Sequence, residues 1–278
     1  MKSLNDKVVV ITGAGSGIGR ALAVSLARRG ARLALSDVNA AGLKETVGLA
    51  KAAGSPQVHS TTLDVADRSA FEAYGTKVVD TFGGVNVVIN NAGVTMTGDF
   101  EDMTLDEFDW ILGINLGGVI TGTKVFLDAI IESGDGHIVN ISSLFGMLSM
   151  PGQSAYNASK YAVRGFTEAL REEMLINKHR VGVTCVHPGG IKTGIARNGR
   201  KTVGQNAAAI DKLFDEKLAR MTPDKAAEII VKGILKNQAR VLVGLDAHVV
   251  HNFQKFTGSR YQDIVAAGAR FVIPKKTV

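Results

Sequence analysis

Two side chains suited to moving a proton, Tyr156 and Lys160, stand four residues apart in the segment SAYNASKYAV. If this segment is helical, positions i and i+4 lie on one face, so the phenol and the ammonium group are neighbours. A free tyrosine has a pKa of about 10, too high for a base at neutral pH, and a nearby ammonium lowers it. The spacing therefore predicts a general acid/base pair, although a tyrosine early in a helix is more often a packing residue.

A glycine-rich turn, TGAGSGIG, directly follows the apolar run VVVIT and leads into a segment of helical spacing. Its glycines follow a G-x3-G-x-G pattern through Gly13, Gly17 and Gly19, whereas the more common G-x-G-x-x-G fails because Ile18 occupies its last position. Glycines let a backbone approach a phosphate closely, and the free N–H groups of a helix N-terminus bind anions. A strand, a glycine turn and a helix in this order predict a site for the phosphates of a dinucleotide.

Asp37 closes the second predicted strand about 20 residues after the glycine turn, where an acidic side chain can bind the adenosine ribose hydroxyls. Asp37 could also cap the helix that begins near Asn39, and the two roles are compatible. A 2′-phosphate beside this carboxylate would meet a repulsion of about 1–4 kcal/mol at ~4 Å. Because Ser16 and Val38 supply no compensating cation, the sequence predicts NAD rather than NADP as the cofactor.

Short β-branched, apolar runs alternate with longer segments of helical spacing. Runs that are almost continuously apolar are typical of strands buried on both faces, as in a parallel sheet covered by helices. The alternation predicts an α/β fold, a doubly wound parallel sheet with helices on both faces, in a single domain over residues 1–278. Seven strands are expected, at residues 8–12, 32–37, 58–65, 85–90, 137–142, 181–186 and 240–244.

Further motifs stand in a fixed order around these strands. They are LDV at 63–65, NNAG at 90–93, ISS at 141–143, YNASK at 156–160 and HPGGIKT at 187–193. Together with TGAGSGIG, this order and spacing resembles the short-chain dehydrogenase/reductase family, from the N-terminus to about residue 195. The resemblance implies a Rossmann-type fold and an oxidoreductase that transfers a hydride between NAD(H) and a secondary alcohol or ketone.

The resemblance also carries the family's roles onto matching positions. Asn115, Ser143, Tyr156 and Lys160 correspond to the catalytic tetrad, with Ser143 rather than Ser142 as the serine that orients the substrate. Asn115 is expected to hold a water that links Lys160 to solvent. The LDV motif would border the adenine, NNAG the ribose and HPGGIKT the nicotinamide. The cofactor-binding positions are Gly13, Ser16, Gly17, Ile18, Gly19, Asp37, Asp64, Val65, Asn91, Gly93, Tyr156, Lys160, Pro188, Ile191 and Thr193.

Two stretches depart from the regular alternation. Residues 191–225 form a connection whose length is typical of a functional substrate lid or of a disordered loop. Residues 246–278 form a C-terminal extension that could cover the pocket, join a subunit interface or touch a membrane surface, of which an interface is favoured. Apolar side chains follow Ser143 closely and predict an apolar alcohol or ketone as substrate; they are Leu144, Phe145, Met147 and Met150.

The composition limits the partners that the chain can have. Its 278 residues carry a net charge of +6, and the densest basic group, Arg197, Arg200 and Lys201, has no interleaved aromatic side chains. We therefore expect these residues to form solvated surface and no nucleic acid to bind. No two histidines have metal-ligand spacing, so no metal is expected. The family resemblance implies a homodimer or homotetramer.

The location is predicted to be cytoplasmic. The single cysteine, Cys185, lies in an apolar run and fits a small buried residue in a reducing compartment. The N-terminal segment lacks the layout of a secretion signal, and no run approaches 18 uninterrupted apolar residues, so no transmembrane helix is expected.

Two other classes of function compete with an enzyme. A Rossmann-type domain can serve as a nucleotide sensor or regulator that does not catalyse, although a sensor has no need of Ser143, Tyr156 and Lys160 together. Nucleic-acid binding as an additional function rests on the +6 charge alone. It would show as an affinity that falls steeply with salt.

Overall fold

The computed structural model of the protein describes residues 1–203, 206, 208–209, 212, 216 and 219–272. Within these residues, seven strands form one sheet: β1 Val8–Thr12, β2 Arg32–Asp37, β3 Val58–Thr62, β4 Val87–Asn90, β6 Gly136–Ile141, β7 Val181–Pro188 and β9 Arg240–Val243. Their order across the sheet is β3-β2-β1-β4-β6-β7-β9, and every neighbouring pair is parallel. The predicted doubly wound parallel sheet of seven strands is confirmed.

Helices cover both faces of this sheet. The helices are α1 Gly17–Ala27, α2 Ala40–Ala52, α3 Arg68–Phe82, α4 Leu105–Leu112, α5 Gly118–Glu132, α6 Ser154–Ile176, α7 Pro223–Leu235, α8 Leu245–Thr257 and α9 Tyr261–Val272. Alternate side chains of a strand point to opposite faces. Val9 and Ile11 therefore join a core with α1, α2 and α7, whereas Val8 and Val10 join a core with α3, α5 and α6.

The third strand is shorter than the run 58–65 predicted for it, because β3 ends at Thr62. After the strand, the Asp64 carboxylate accepts a hydrogen bond from the Ala66 amide at 2.9 Å, and Asp67 caps α3 by accepting from the Ala70 amide at 3.0 Å. These local acceptors stabilise a turn and a helix start at the expense of further strand pairing. Because the strands are parallel, the end of β3 lies at the same edge of the sheet as the ends of β1 and β4.

A ladder of buried polar side chains ties the middle of the sheet to two helices. The Asn90 amide donates to the Asn140 side-chain oxygen at 2.8 Å and to the Thr123 hydroxyl of α5 at 3.0 Å. The Asn140 amide in turn donates to the Thr167 hydroxyl of α6 at 3.0 Å. All four side chains are buried. Because unpaired polar groups are costly in a core, this ladder fixes which helix faces meet β4 and β6.

A five-residue π-helical turn, Gly113–Gly117, joins α4 and α5 into one continuous helix, Leu105–Glu132. Among the described residues this helix is long and apolar enough to cross a membrane, with a mean hydropathy of 1.4 in its most apolar window. Its buried side chains include Val119, Phe126 and Ile130, of which Phe126 and Ile130 pack in the core beside the sheet. That packing is the ordinary reason for an apolar helix in a globular core.

The lid and the extension contain ordered elements that the sequence did not predict. Two-residue strands β5, Met96–Thr97, and β8, Arg200–Lys201, pair in parallel, and Ile191 forms a bridge with Met221. Residues 204–205, 207, 210–211, 213–215 and 217–218 of the lid, and 273–278 of the extension, lie outside the described residues. The described part of the extension consists mainly of α8 and α9.

The ladder leads to a test of stability. Replacing Asn140 with alanine removes the hydrogen bond that the Asn90 amide makes across the sheet and the donor that the Thr167 hydroxyl accepts from, and it leaves a small cavity in the core. We expect Asn140→Ala to lower the free energy of unfolding by about 2–3 kcal/mol. Urea denaturation measures this, with the exposed Asn252 of α8 as a matched control. Asn252→Ala should change the free energy by about 0.5 kcal/mol or less. An equally small change for Asn140→Ala would contradict the importance of the ladder.

Candidate active site

Tyr156 and Lys160 lie on one face of α6, at the edge of the sheet where the parallel strands end. Both are buried, and the Lys160 ammonium lies 5.6 Å from the centroid of the Tyr156 ring. Lys160 Nζ donates a hydrogen bond at 3.2 Å to the carbonyl of Ile141, the last residue of β6. The predicted i, i+4 neighbours therefore share a buried position, and the end of β6 fixes the lysine.

The two serines after β6 do different things. The Ser142 hydroxyl donates at 2.8 Å to the Lys160 backbone carbonyl, so it attaches the end of β6 to α6. The Ser143 hydroxyl accepts from the Phe145 amide at 3.1 Å, and it lies close enough to the Tyr156 phenol to lower the pKa of that group. Of the two hydroxyls, it is therefore Ser143 that lies at the phenol.

Burial changes the proton affinity of both central groups. Burial raises the pKa of the Tyr156 phenol above its ordinary value of 10.0, and the hydrogen bond with Ser143 opposes this rise only in part. Burial lowers the pKa of Lys160 from 10.5 to about 8. We predicted that the ammonium would lower the pKa of the phenol, and for the chain without a cofactor this is wrong. Loss of water around the phenolate outweighs the attraction of a lysine whose own charge is disfavoured.

Asn115 lies in the π-helical turn, and its side chain is held on all sides by protein. Its Oδ1 accepts from the Val94 amide at 2.8 Å, and its Nδ2 donates to the Val94 carbonyl at 2.9 Å and to the Ser159 hydroxyl at 3.1 Å. This pairing joins the long helix to the segment after β4 and to α6. It leaves the side chain little capacity for the water that we expected it to hold.

Gly93 leaves a gap between Asn115 and Lys160. A Cβ at this position would lie 3.2 Å from Asn115 Oδ1 and 3.3 Å from Lys160 Nζ. Any larger residue would therefore push against both side chains. Gly93 stays a predicted ribose contact, and its lack of a side chain leaves room for the Lys160 ammonium beside the end of β4.

The glycine turn is shaped for close approach. Gly13 and Gly17 have φ angles of +64° and +52°, a region that suits glycine. Ser16 is the N-cap of α1 and makes no capping hydrogen bond through its side chain, so the first N–H groups of the helix are not capped in that way. A Cβ at Gly19 would collide with the Gly13 carbonyl oxygen. An anion therefore meets an uncovered helix N-terminus here.

Asn91 fixes this turn to the centre of the sheet. Its side-chain amide donates to the carbonyls of Thr12 at 2.9 Å and Gly13 at 3.1 Å. The Thr12 hydroxyl in return accepts from the backbone amides of Asn91 and Ala92, both at 3.0 Å. Thr12 is the first residue of TGAGSGIG but was not among the predicted site residues, because its hydroxyl signals nothing until β1 and β4 are known to be neighbours.

Asp37 braces the glycine turn and does not cap the second helix. Its Oδ2 accepts from the Gly15 amide at 2.7 Å, and its Oδ1 accepts from the Asn39 amide at 2.8 Å. The cap of α2 is Asn39, which accepts from the Gly42 amide at 3.0 Å. The alternative of Asp37 as a helix cap is therefore wrong, because Asn39 is one residue before the helix and Asp37 is three.

Arg20 is a cation near the glycine turn that sequence reasoning missed. Its Nη2 donates to the Gly15 carbonyl at 2.6 Å and lies 2.8 Å from the Glu45 carboxylate. Neither Ser16 nor Val38 is charged, as expected, but the first turn of α1 brings this guanidinium close. Glu45 balances the charge, and the bonded contacts hold the guanidinium in place.

The remaining predicted cofactor positions lie around the same edge of the sheet. Val65 is buried, and a Cβ at Gly118 would lie 2.7 Å from it, so α5 packs against the segment after β3. Pro188 ends β7, and buried Ile191 follows it. A Cβ at Gly17 would lie 3.1 Å from the Thr193 methyl group. The segment after β7 thus closes onto the glycine turn.

The apolar side chains after Ser143 do not share one environment. The Phe145 ring packs edge-on against the Tyr156 ring at a centroid distance of 6.2 Å, whereas Met147 is 1% exposed. Met147 therefore belongs to the interior, and Leu144, Phe145 and Met150 are only partly buried.

We expected the basic group after β7 to be solvated surface, and for one of its members this is wrong. The Arg200 guanidinium lies 3.8 Å from the centroid of the Trp110 ring, a cation–π contact that joins β8 to α4.

His187 has a structural role that the sequence did not suggest. His187 Nδ1 lies 2.9 Å from the Ser143 carbonyl, which only accepts, so the proton is on Nδ1. Burial lowers the pKa of His187 to about 4, and the ring is neutral. His187 therefore supports the backbone of the serine beside Tyr156.

A group of exposed carboxylates lies at residues 99–102. Their oxygen atoms come within 4.8 Å of one another, and the residues are Asp99, Glu101 and Asp102.

The buried cysteine has no catalytic character. Cys185 in β7 is 0% exposed, and burial raises the pKa of its thiol to about 12. A thiol that stays protonated is a poor nucleophile.

Comparison with known proteins agrees with this architecture. The family model for short chain dehydrogenases matches residues 7–204. A protein of Mycobacterium tuberculosis named "Putative oxidoreductase SadH" is 53% identical over 274 residues, which is 99% of each chain. A short-chain dehydrogenase/reductase from Burkholderia phymatum in complex with NAD has a TM-score of 0.83 at 30% identity and covers 100% of this chain and 99% of its own. A short-chain dehydrogenase from Mycobacterium paratuberculosis bound to NAD has a TM-score of 0.75 at 27% identity, over 87% and 97%.

The doubly wound sheet and the buried serine, tyrosine and lysine at its carboxyl edge define a Rossmann-type α/β protein. The chain belongs to the short-chain dehydrogenase/reductase family, which makes it an oxidoreductase.

The buried lysine leads to a test of stability against pH. The pKa of Lys160 is 10.5 in the unfolded chain and about 8 in the folded chain. Below pH 8 the lysine is charged in both states, and burying that charge lowers the stability of the folded chain. That cost fades as the pH rises from 8 to 10.5, because both states become neutral. We expect Lys160→Met to raise the free energy of unfolding at pH 7 by about 1–3 kcal/mol, and this gain to shrink by pH 10.5.

Denaturant unfolding without cofactor at the two pH values measures this effect. The exposed Lys124 of α5 is the matched control, and Lys124→Met should show no such dependence on pH. A loss of stability for Lys160→Met at pH 7 would show that the charged lysine stabilises the fold.

Proposed function

We propose that the chain transfers a hydride between NAD(H) and a secondary alcohol or its ketone, with Tyr156 as the general acid and base. The observation that carries this proposal is the buried Ser143 hydroxyl beside the Tyr156 phenol, with the Lys160 ammonium 5.6 Å from the Tyr156 ring, at the strand ends next to the glycine turn. A buried hydroxyl pair with an adjacent lysine suits proton exchange with a substrate oxygen.

The residues present fit a dinucleotide. The uncovered N-terminus of α1 and the positive φ angles of Gly13 and Gly17 suit the pyrophosphate. Asp37 would bind the ribose of the adenosine, the segment after β3 the adenine, and the segment after β7 the nicotinamide. When bound, the nicotinamide ring supplies the hydride chemistry. Two of the similar structures carry NAD, which supports this choice of cofactor.

The protein's own groups handle the proton. With its pKa raised by burial, Tyr156 is a neutral phenol that can donate its proton to a carbonyl oxygen during reduction. In the reverse direction it must accept the alcohol proton, which requires a phenolate and is therefore favoured by high pH. Ser143 can donate a hydrogen bond to the substrate oxygen and hold it beside the phenol. Lys160 supplies a positive charge that favours the phenolate below pH 8.

The preference for NAD over NADP follows from the carboxylate at the end of β2. Asp37 and Glu45 bring two negative charges to this region, and Arg20 brings one positive charge that is held by Gly15 and Glu45. A 2′-phosphate there would meet net repulsion.

The outlying segments and the setting of the protein complete the proposal. The chain acts as a single domain, with residues 191–225 as a substrate lid fixed at one point by Arg200 stacked on Trp110. The apolar side chains of Leu144, Phe145 and Met150 favour an apolar substrate. We further propose a cytoplasmic homodimer or homotetramer with no nucleic-acid partner.

Tyr156→Phe tests the reaction. We expect it to remove at least about 99% of turnover, because general acid/base groups contribute 10²–10⁴-fold, while NAD binding persists. Turnover is followed as NADH absorbance at high pH over small polar, medium-chain and ring alcohols, with the apolar alcohols expected to react best. Tyr161→Phe, on the same helix, is the matched control and should retain activity. Full activity of Tyr156→Phe would exclude the mechanism, and NAD binding without any turnover of the native protein would favour a nucleotide sensor.

Asp37→Asn tests the choice of cofactor. The amide keeps one acceptor oxygen, for either the Gly15 or the Asn39 amide, and removes the charge. We expect the ratio of the NADP to NAD dissociation constants to fall about tenfold. Calorimetry measures both constants, and Asp80→Asn on the exposed side of α3 controls for the change in net charge. An unchanged ratio would mean that Asp37 does not select the cofactor.

A further inference from the structure

We propose that Asp246, in the first turn of α8, is a positioning residue that sets the Gly189–Thr193 segment for the nicotinamide end of the cofactor. This inference rests on the proposed function. It concerns a residue far outside the motifs of the sequence and beyond the stretch 7–204 that the family model matches.

The Asp246 carboxylate holds the backbone where β7 ends. Its Oδ2 accepts from the Gly190 amide at 2.6 Å, and its Oδ1 accepts from the Ala247 amide at 3.0 Å. A Cβ at Gly189 would collide with the carboxylate, so the segment passes directly against it. The Gly189 amide also donates to the Val243 carbonyl at 2.9 Å. The end of β9 and the start of α8 thus jointly fix the two glycines after Pro188.

The constraint continues into the segment that meets the glycine turn. The Gly190 carbonyl accepts from the amides of Arg220 at 3.0 Å and Met221 at 3.2 Å. Ile191 is 4% exposed, and Thr193 reaches the position beside Gly17. The direction in which the chain leaves Gly190 therefore decides where Ile191 and Thr193, the predicted nicotinamide contacts, stand.

A carboxylate suits this task better than a neutral side chain. Hydrogen bonds from backbone amides to a charged acceptor are short and strong. The first turn of α8 also favours a negative charge, which alone could explain an aspartate there. Asp224 supplies the comparison, because it occupies the second position of α7 as Asp246 does of α8, and it is exposed. A role in helix stability alone would make the two residues equivalent.

Binding of NAD and of ADP-ribose to the full chain distinguishes a positioning role of Asp246 from a role in helix stability alone. ADP-ribose carries the adenosine and both phosphates but lacks the nicotinamide. We expect Asp246→Ala to weaken NAD about tenfold and to leave ADP-ribose within about twofold of the native protein. Asp246→Asn, which keeps one carbonyl acceptor, should fall between the native protein and the alanine variant. Asp224→Ala should bind both ligands normally.

The possible results have distinct meanings. Equal weakening of NAD and ADP-ribose, or no weakening of either, would overturn the role of Asp246. Gly189→Ala is the second variant, since its methyl group would displace the same carboxylate, and it should reproduce the selective loss of NAD if Asp246→Ala fails to fold. If the native protein binds neither ligand, the proposed function fails. If it binds both and Asp246→Ala does as well, only this inference fails.

Discussion

The hydrogen bonds from the Asn91 amide to the carbonyls of Thr12 and Gly13 hold together the place where the two halves of the sheet diverge. From β1 the chain builds outward through β2 and β3, and from β4 it builds in the opposite direction through β6, β7 and β9. Helical connections on either side of this point leave a crevice above the strand ends. The glycine turn borders the crevice from the first half and Gly93 from the second. These bonds add to the pairing of β1 with β4 and extend it into the two turns that border the site.

A second constraint is that the reactive side chains lie out of water. Burial raises the pKa of Tyr156 and lowers that of Lys160, so each group resists the charge that the proposed proton transfer requires of it. Burial alone therefore favours the neutral phenol. A positive charge bound beside the phenol would favour the phenolate. The free-energy cost of burying these groups is offset in part by two hydrogen bonds to Lys160. One joins Ser142 to its backbone carbonyl, and the other joins its ammonium to the Ile141 carbonyl.

The parts of the site that sequence could predict are those whose signal is local. Tyr156 and Lys160 are four residues apart, and the glycine turn before α1 spans fewer than ten residues. The strands are short apolar runs. Residues that act across the sheet carried no such signal. Thr12 and His187 look ordinary until β1 is known to neighbour β4, and β7 to neighbour β6. The pKa of Tyr156 was misjudged for the same reason, because sequence spacing shows a nearby lysine but not the loss of water.

The C-terminal helices illustrate how distant residues act on a site that the motifs only outline. Asp246 at the start of α8 holds Gly190, and the Tyr261 hydroxyl at the start of α9 accepts from the Ser149 amide at 3.3 Å. The first contact bears on the segment after β7, and the second on the loop that follows Ser143. Both come from beyond residue 204, where the family match ends. The motif-bearing part therefore holds Ser143, Tyr156 and Lys160, while two loops around them are contacted by helices that the motifs do not describe.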